Sequence, residues 1–217
     1  MEYPVLYSLQ HCPYAMRARM AILLSKQPVM LRAVVLKSKP KEMLQASAKG
    51  TVPILVIAPS TIIDQSLDIM IWALSKSDPN NLLCSENENI LPEMLALIGR
   101  YDDEFKNCLE KYKSAKRYHE DSKEQYRDAC EIFIVELEQC LKKNQYIMGE
   151  NPSLVDYAIL PFIRQFARVE KQWFRQTPYP SVQQWLKAQL QSKLFSKTMK
   201  KYPLWLENHE SFLLGVD

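Results

Sequence analysis

The hydrophobic pattern of this chain changes character once. Up to residue 76, short apolar runs rich in Val, Leu and Ile alternate with amphipathic stretches; beyond residue 92, every apolar pattern has helical spacing. A chain divided in this way predicts a small α/β domain followed by an all-helical one. Residues 4–9 form a short apolar run with Tyr7 and Val5, a strand signal. Pro13 suits the first turn of a helix, where its missing N–H costs nothing, and the helix then runs from Tyr14 to Ser25. Residues 29–36 read as a second strand, 40–46 as a short helix, 52–57 as a third strand, 62–63 as a fourth and 65–75 as a buried helix. The predicted order is β-α-β-α-β-β-α.

The polar, turn-rich clusters at 77–81 and 85–89 read as a linker. Helices are predicted over 92–116, 123–143, 153–168 and 181–190, with an aromatic tail at 203–214 that docks rather than hangs free. The predicted domains are therefore 1–76 and 92–217, joined by a linker at 77–91. No internal repeat is present.

Composition narrows the function classes. The chain has 217 residues, 47% of them hydrophobic and only 4 of them Gly, which excludes a collagenous or wholly disordered protein. Lys+Arg 28 against Asp+Glu 25 gives a net charge of +3, an argument against a dedicated nucleic-acid binder. No apolar run reaches the ~18 residues of a spanning helix, and the start lacks a basic region followed by a long apolar run. A cytoplasmic location is the expectation. Five cysteines at wide spacing, without a CxxC pair, make a poor disulfide framework, and three scattered histidines form no zinc pattern, so no metal is expected.

Chemistry is concentrated at His11, Cys12, Pro13 and Tyr14. Cys12 falls between a strand and a helix, at or beside the helix N-cap. Unpaired N–H groups and the positive end of the helix dipole meet there and suit a nucleophilic thiolate. A dithiol centre would need a second cysteine three residues on, but that residue is Ala15. Redox work at Cys12 thus requires an external thiol, most simply a small molecule. A buried, space-filling cysteine is the competing reading. His11 fits either a local base or a hydrogen-bonded rim residue, and Tyr14 either packing or acid–base work.

The run Cys12-Pro-Tyr-Ala-Met-Arg-Ala-Arg19, then Thr51-Val-Pro53 before a strand, then Asp64-Gln-Ser66 opening a helix, resembles the glutathione transferase superfamily. It is most similar to the omega-like and glutaredoxin-2-like branch. The segment 149–156, with Ser153 and Asp156 placed as a capping box, resembles the family's signature before its central helix. The resemblance implies a thioredoxin-like N-terminal domain and an all-α C-terminal domain. It implies that Cys12 is the catalytic cysteine and forms a mixed disulfide with glutathione, the co-substrate. It further implies that Pro53 is a cis proline and that the Val52 backbone pairs with the cysteinyl part of glutathione. Ser66 then takes the γ-glutamyl carboxylate at a helix N-terminus. Lys39 matches a lysine for the glycyl carboxylate, with Lys37 and Lys49 as near alternatives. Gln65 stands where this branch often has glutamate; it offers hydrogen bonds but no charge.

The activity implied is that of a glutathione-dependent monothiol transferase or reductase acting on a small-molecule or protein disulfide. A conjugating transferase, with Tyr7 or Ser8 supporting the glutathione thiolate, is the first alternative, and a non-catalytic protein-binding adaptor the second. The family commonly forms homodimers, while the glutaredoxin-2-like branch includes monomers.

Overall fold

A computed structural model describes residues 3–216. Strand β1 (Val5–Ser8) lies at the centre of a five-stranded sheet of order β4-β3-β1-β2-β5. It pairs in parallel with β2 (Val29–Ala33), with Val5 opposite Met30 and Leu6 opposite Leu31. Helix α1 (Pro13–Ser25) supplies the crossover that a parallel pair requires. β3 (Ile54–Ala58) runs antiparallel on the other side of β1, and β4 (Thr61–Ile63) follows it as a hairpin. Helices α2 (Lys41–Ala46) and α3 (Ser66–Lys76) complete the predicted β-α-β-α-β-β-α order.

Helix α1 buries Ala15, Met16, Arg17, Ala18, Arg19, Met20, Ala21 and Ile22 in succession. It packs against α3 and also against a later helix, α10 (Lys193–Thr198). A helix covered on more than one side has no polar stripe, which is why its sequence is only weakly amphipathic. Tyr7, Ala15 of α1, Val34, Met43, Val52 and Ile54 form a buried cluster, and Cys12 packs against it.

The tail adds the fifth strand. After α10 and α11 (Trp205–Asn208), β5 (Phe212–Leu214) pairs antiparallel with β2, Val29 facing Leu214. Gly215 follows with φ of +86° and passes so close to the Gln27 carbonyl that any side chain would collide with it. By its contacts the chain forms two units, Met1–Asn80 with Ser192–Asp217, and Asn81–Gln191. Residues 192–216, at the far end of the expected helical part, group by contacts with the sheet-bearing unit. A three-residue strand carries too short a pattern to read, and its partner lies far away in sequence.

The second unit contains α4 (Ile90–Arg100), α5 (Lys106–Tyr118), α6 (Lys123–Lys143), α7 (Leu154–Val169), α8 (Lys171–Gln176) and α9 (Pro180–Gln191). The single helix expected over 92–116 starts at Ile90 instead and is interrupted by a π-helical turn at Tyr101–Phe105. Pro92 is accommodated because N–H groups in a first turn have no intrahelical partner. The wide turn escaped the sequence pattern because Tyr101, Phe105 and Leu109 remain buried four residues apart. Both rings of the turn lie against Phe133, with centroids 5.5 Å away in each case.

Helix α7 is the buried centre of this unit, with Leu154, Val155, Ala158 and Ile163 fully enclosed. Its start is tied by the expected capping box: the Ser153 N–H donates to Asp156 Oδ2 at 2.9 Å. Asp156 Oδ1 accepts from the Ile147 N–H and from Trp185 Nε1, both at 3.2 Å. Burial pushes the Asp156 carboxyl above its ordinary range, against these hydrogen bonds and a further one from the Ser153 hydroxyl.

Glu170, between α7 and α8, gathers α5 and α6 around one carboxylate. It accepts from Tyr112 Oη at 2.8 Å and Lys123 Nζ at 2.9 Å, with Arg127 at 3.4 Å. Burial would raise this carboxyl, but the hydrogen bonds from Lys123 and Tyr112 and the nearby lysine charges outweigh it and hold Glu170 at about 2. A carboxylate lowered on folding stabilises the native state above its unfolded value and loses that contribution as pH falls. Glu170→Gln is therefore expected to lower unfolding stability at pH 7 by about 1–3 kcal/mol. The gap from wild type should close as pH falls through 4.5 towards 2, as read by denaturant melts across pH.

Candidate functional site

The site is built where β1 gives way to α1. Cys12 is the N-cap residue of α1, with extended backbone angles (φ −71°, ψ 124°), and Pro13 is the first helical residue. Its N–H donates to the Leu9 carbonyl at 3.3 Å and its own carbonyl accepts from Met16 N–H at 2.9 Å. The Cys12 thiol is half-buried and donates to the Val52 carbonyl, with Sγ 3.7 Å from the oxygen. The peptide between Val52 and Pro53 is cis. Both residues precede β3, and Ile54 is the first residue paired with β1. The thiol thus sits beside the open helix end and next to a backbone segment that the ladder does not use.

Gln65 and Ser66 form the start of α3. Gln65 is the N-cap and Ser66 the first helical residue. The Ser66 hydroxyl accepts from Arg17 Nε at 2.9 Å, in a contact where both residues are buried. Arg17 also lies against the Tyr14 ring, at 5.2 Å from its centroid, which gives Tyr14 a packing role. Among the lysines, Lys49 is paired with Asp64 at 2.8 Å, and Asp64 also accepts from Ser47 at 2.7 Å. The hydrogen bonds from Lys49 and Ser47 hold the Asp64 carboxyl below its ordinary range. Lys39 extends over Gly50: a Cβ at that residue would lie 3.0 Å from Lys39 Nζ, and φ of +59° already favours glycine there. Lys37 and His11 are exposed.

Cys12, Val52 and Pro53 are thus brought into contact, and Gln65 and Ser66 stand together at a second helix N-terminus. Helical spacing in the sequence gives Arg17 and Arg19 access to solvent and no role at the site, and the structure corrects this by burying both. They are 2% and 3% exposed, each with polar partners in the first unit. Two arginines inside a run of Ala and Met were the available signal, because charge on a helix without a polar face must be satisfied internally. Residues 9–11, Arg19, the end of β2 and residues 200–204 line a cavity of about 340 Å³. Among the described residues, no group of three or more His, Cys, Asp or Glu side chains could hold a metal ion, and no helix is long and apolar enough to cross a membrane.

Comparison with known proteins places this architecture. Residues 6–81 match the glutathione S-transferase N-terminal domain and residues 120–188 the glutathione S-transferase C-terminal domain, together more than half of the chain. The chain belongs to the glutathione S-transferase superfamily, with a thioredoxin-like N-terminal domain and a helical C-terminal domain. No curated protein matches the sequence. Among solved structures, a glutathione transferase family member from Pseudomonas fluorescens, with two glutathione bound, superposes with a TM-score of 0.79 at 19% identity. The alignment covers 91% of this chain and 92% of that one. Glutathione transferase Omega 3C from Trametes versicolor gives a TM-score of 0.77 at 15% identity, over 94% and 92% of the two chains. Poplar glutathione transferase F1 gives 0.77 at 15% identity, over 92% and 97%.

The five thiols differ in environment. Cys130 is fully buried, and burial pushes its thiol far up, whereas Cys12 is half-buried. Brief treatment of the native protein with iodoacetamide is expected to modify Cys12 and leave Cys130 unmodified until denaturant is added. Peptide mass mapping reads the order, and labelling of native Cys130 before Cys12 would contradict it.

Proposed function

We propose that this protein is a glutathione-dependent monothiol transferase of the omega-like type, with Cys12 as its nucleophile. The observation that carries the reading is the Cys12 thiol at the N-cap of α1, 3.7 Å from the Val52 carbonyl and beside cis-Pro53. Glutathione fits as an extended segment along the backbone of Val52, which the sheet ladder does not use, adding itself as a strand would. Its γ-glutamyl carboxylate meets Ser66 and the α3 N-terminus, with the Arg17 guanidinium behind the hydroxyl. Gln65 offers the same end a neutral amide. Lys39 takes the glycyl carboxylate, a role that suits it better than Lys49, which is engaged with Asp64.

In the first step the Cys12 thiolate attacks the glutathione sulfur of a mixed disulfide. The Cys12–glutathione disulfide forms, and the acceptor leaves as a thiolate that takes up a proton. In the second step the thiolate of another glutathione attacks the glutathione sulfur of this disulfide, releasing Cys12 as thiolate and oxidised glutathione. The acceptor is a small-molecule or protein disulfide. The conjugating alternative is less well supported, because both residues whose hydroxyls it would use are buried. Tyr7 is 2% exposed and accepts from Arg32 Nη1 at 3.0 Å, and the Ser8 hydroxyl accepts from Arg19.

Reduced protein incubated with glutathione disulfide should gain one glutathione by intact mass. Excess glutathione should remove it, and Cys12→Ala should never acquire it. Hydroxyethyl disulfide reduction should fall by about 100-fold or more in that variant. A folded wild-type protein that gains no adduct at Cys12 would rule out the thiol-transfer cycle.

A further inference from the structure

Apart from the thiol's own contacts, one buried charge grips the loop that carries it. Arg19 lies seven residues after Cys12 on α1 and is 3% exposed. Its guanidinium donates to the Leu9 carbonyl at 3.1 Å, the Gln10 carbonyl at 2.7 Å and the Ser8 hydroxyl, while Nε donates to the Thr198 carbonyl at 2.9 Å. None of these partners is a carboxylate. A desolvated guanidinium is tolerated only when its N–H groups are satisfied, and here they are spent on two chain segments, residues 8–10 and the end of α10. Burial lowers Arg19 to about 10, so it remains cationic at neutral pH.

The residues it grips lead directly into the site. Leu9 accepts the Cys12 N–H at 3.3 Å, so the backbone fixed by Arg19 is the backbone that sets the N-cap. A second bond, from Gln10 Nε2 to the Met199 carbonyl at 2.9 Å, joins the same loop to the same tail segment. Residues 9–11 and 200–204 form part of the wall of the cavity beside Arg19, together with the end of β2.

We propose that Arg19 is a positioning residue for Cys12: its planar fork fixes residues 8–10 and ties this loop to the C-terminal segment at Thr198. The proposal rests on the reading of Cys12 as the reacting thiol. Arg19 acts through this backbone, because its N–H groups are directed at protein acceptors. The fork, not the charge alone, is required, because an ammonium cannot present donors in the fixed planar array that these acceptors meet.

The test compares wild type, Arg19→Lys and Arg19→Met. Thermal melts establish that each is folded, and intact mass gives the rate at which glutathione disulfide modifies Cys12. In Arg19→Lys the rate should fall about 10-fold, the order expected when a reacting group is slightly misplaced, and the half-saturating glutathione concentration for adduct release should change less than about twofold. Arg19→Met should lose at least as much. Hydrogen exchange of the Cys12 amide should quicken in Arg19→Lys. A folded Arg19→Lys with wild-type rate and exchange overturns the proposal. If neither Arg19 variant folds, Ser8→Ala, which removes one acceptor, decides: a wild-type rate overturns the proposal, and a loss of about 3-fold supports it. If wild type gains no adduct, the thiol-transfer reading fails separately. Amide exchange in Arg19→Lys then still decides whether Arg19 fixes the loop.

Discussion

Helix α1 has no continuous solvent face, and the first unit is organised around that fact. Its residues from Ala15 to Ile22 are all buried, between the sheet, α3 and α10. An apolar helix could satisfy this without difficulty, but α1 carries two arginines. Buried guanidinium groups must find acceptors, and those acceptors are Ser66 at the start of α3 and the carbonyls of residues 9, 10 and 198. The helix that presents Cys12 at its N-terminus thereby also anchors the other structures that define the site.

The same economy holds in the second unit, where two carboxylates, Asp156 and Glu170, do the joining. Asp156 links the start of α7 to Ile147 and to Trp185 on α9. Glu170 draws Tyr112 of α5 and Lys123 of α6 to the end of α7. Each lies at an end of the buried helix, where the chain direction must be fixed and hydrophobic packing alone gives little orientation.

For function, the central feature is the adjacency of a half-buried thiol to a backbone segment outside the sheet. Cis-Pro53 cannot donate to a ladder, so β3 begins only at Ile54, and Val52 keeps its backbone groups next to Cys12. A thiol-bearing peptide laid along Val52 would bring its sulfur to Cys12. In the proposed reading, recognition and reaction meet across one turn of chain.

Much of this was determined by sequence. Period and turn chemistry marked the β-α-β-α-β-β-α order, Pro13 placed Cys12 at a helix start, Ala15 excluded a local dithiol, and the spacing of Ser153 and Asp156 marked the start of α7. These are local properties, set by backbone sterics and by side chains within a few residues of one another. The pairing of Lys49 with Asp64, the burial of Tyr7 against Arg32, the wide turn at Tyr101–Phe105 and the return of residues 212–214 to the sheet edge were decided only in the tertiary structure. Each depends on a partner distant in sequence, Asp64, Arg32, Phe133 or β2, and hydrophobic periodicity carries no information about which distant acceptor a side chain will meet.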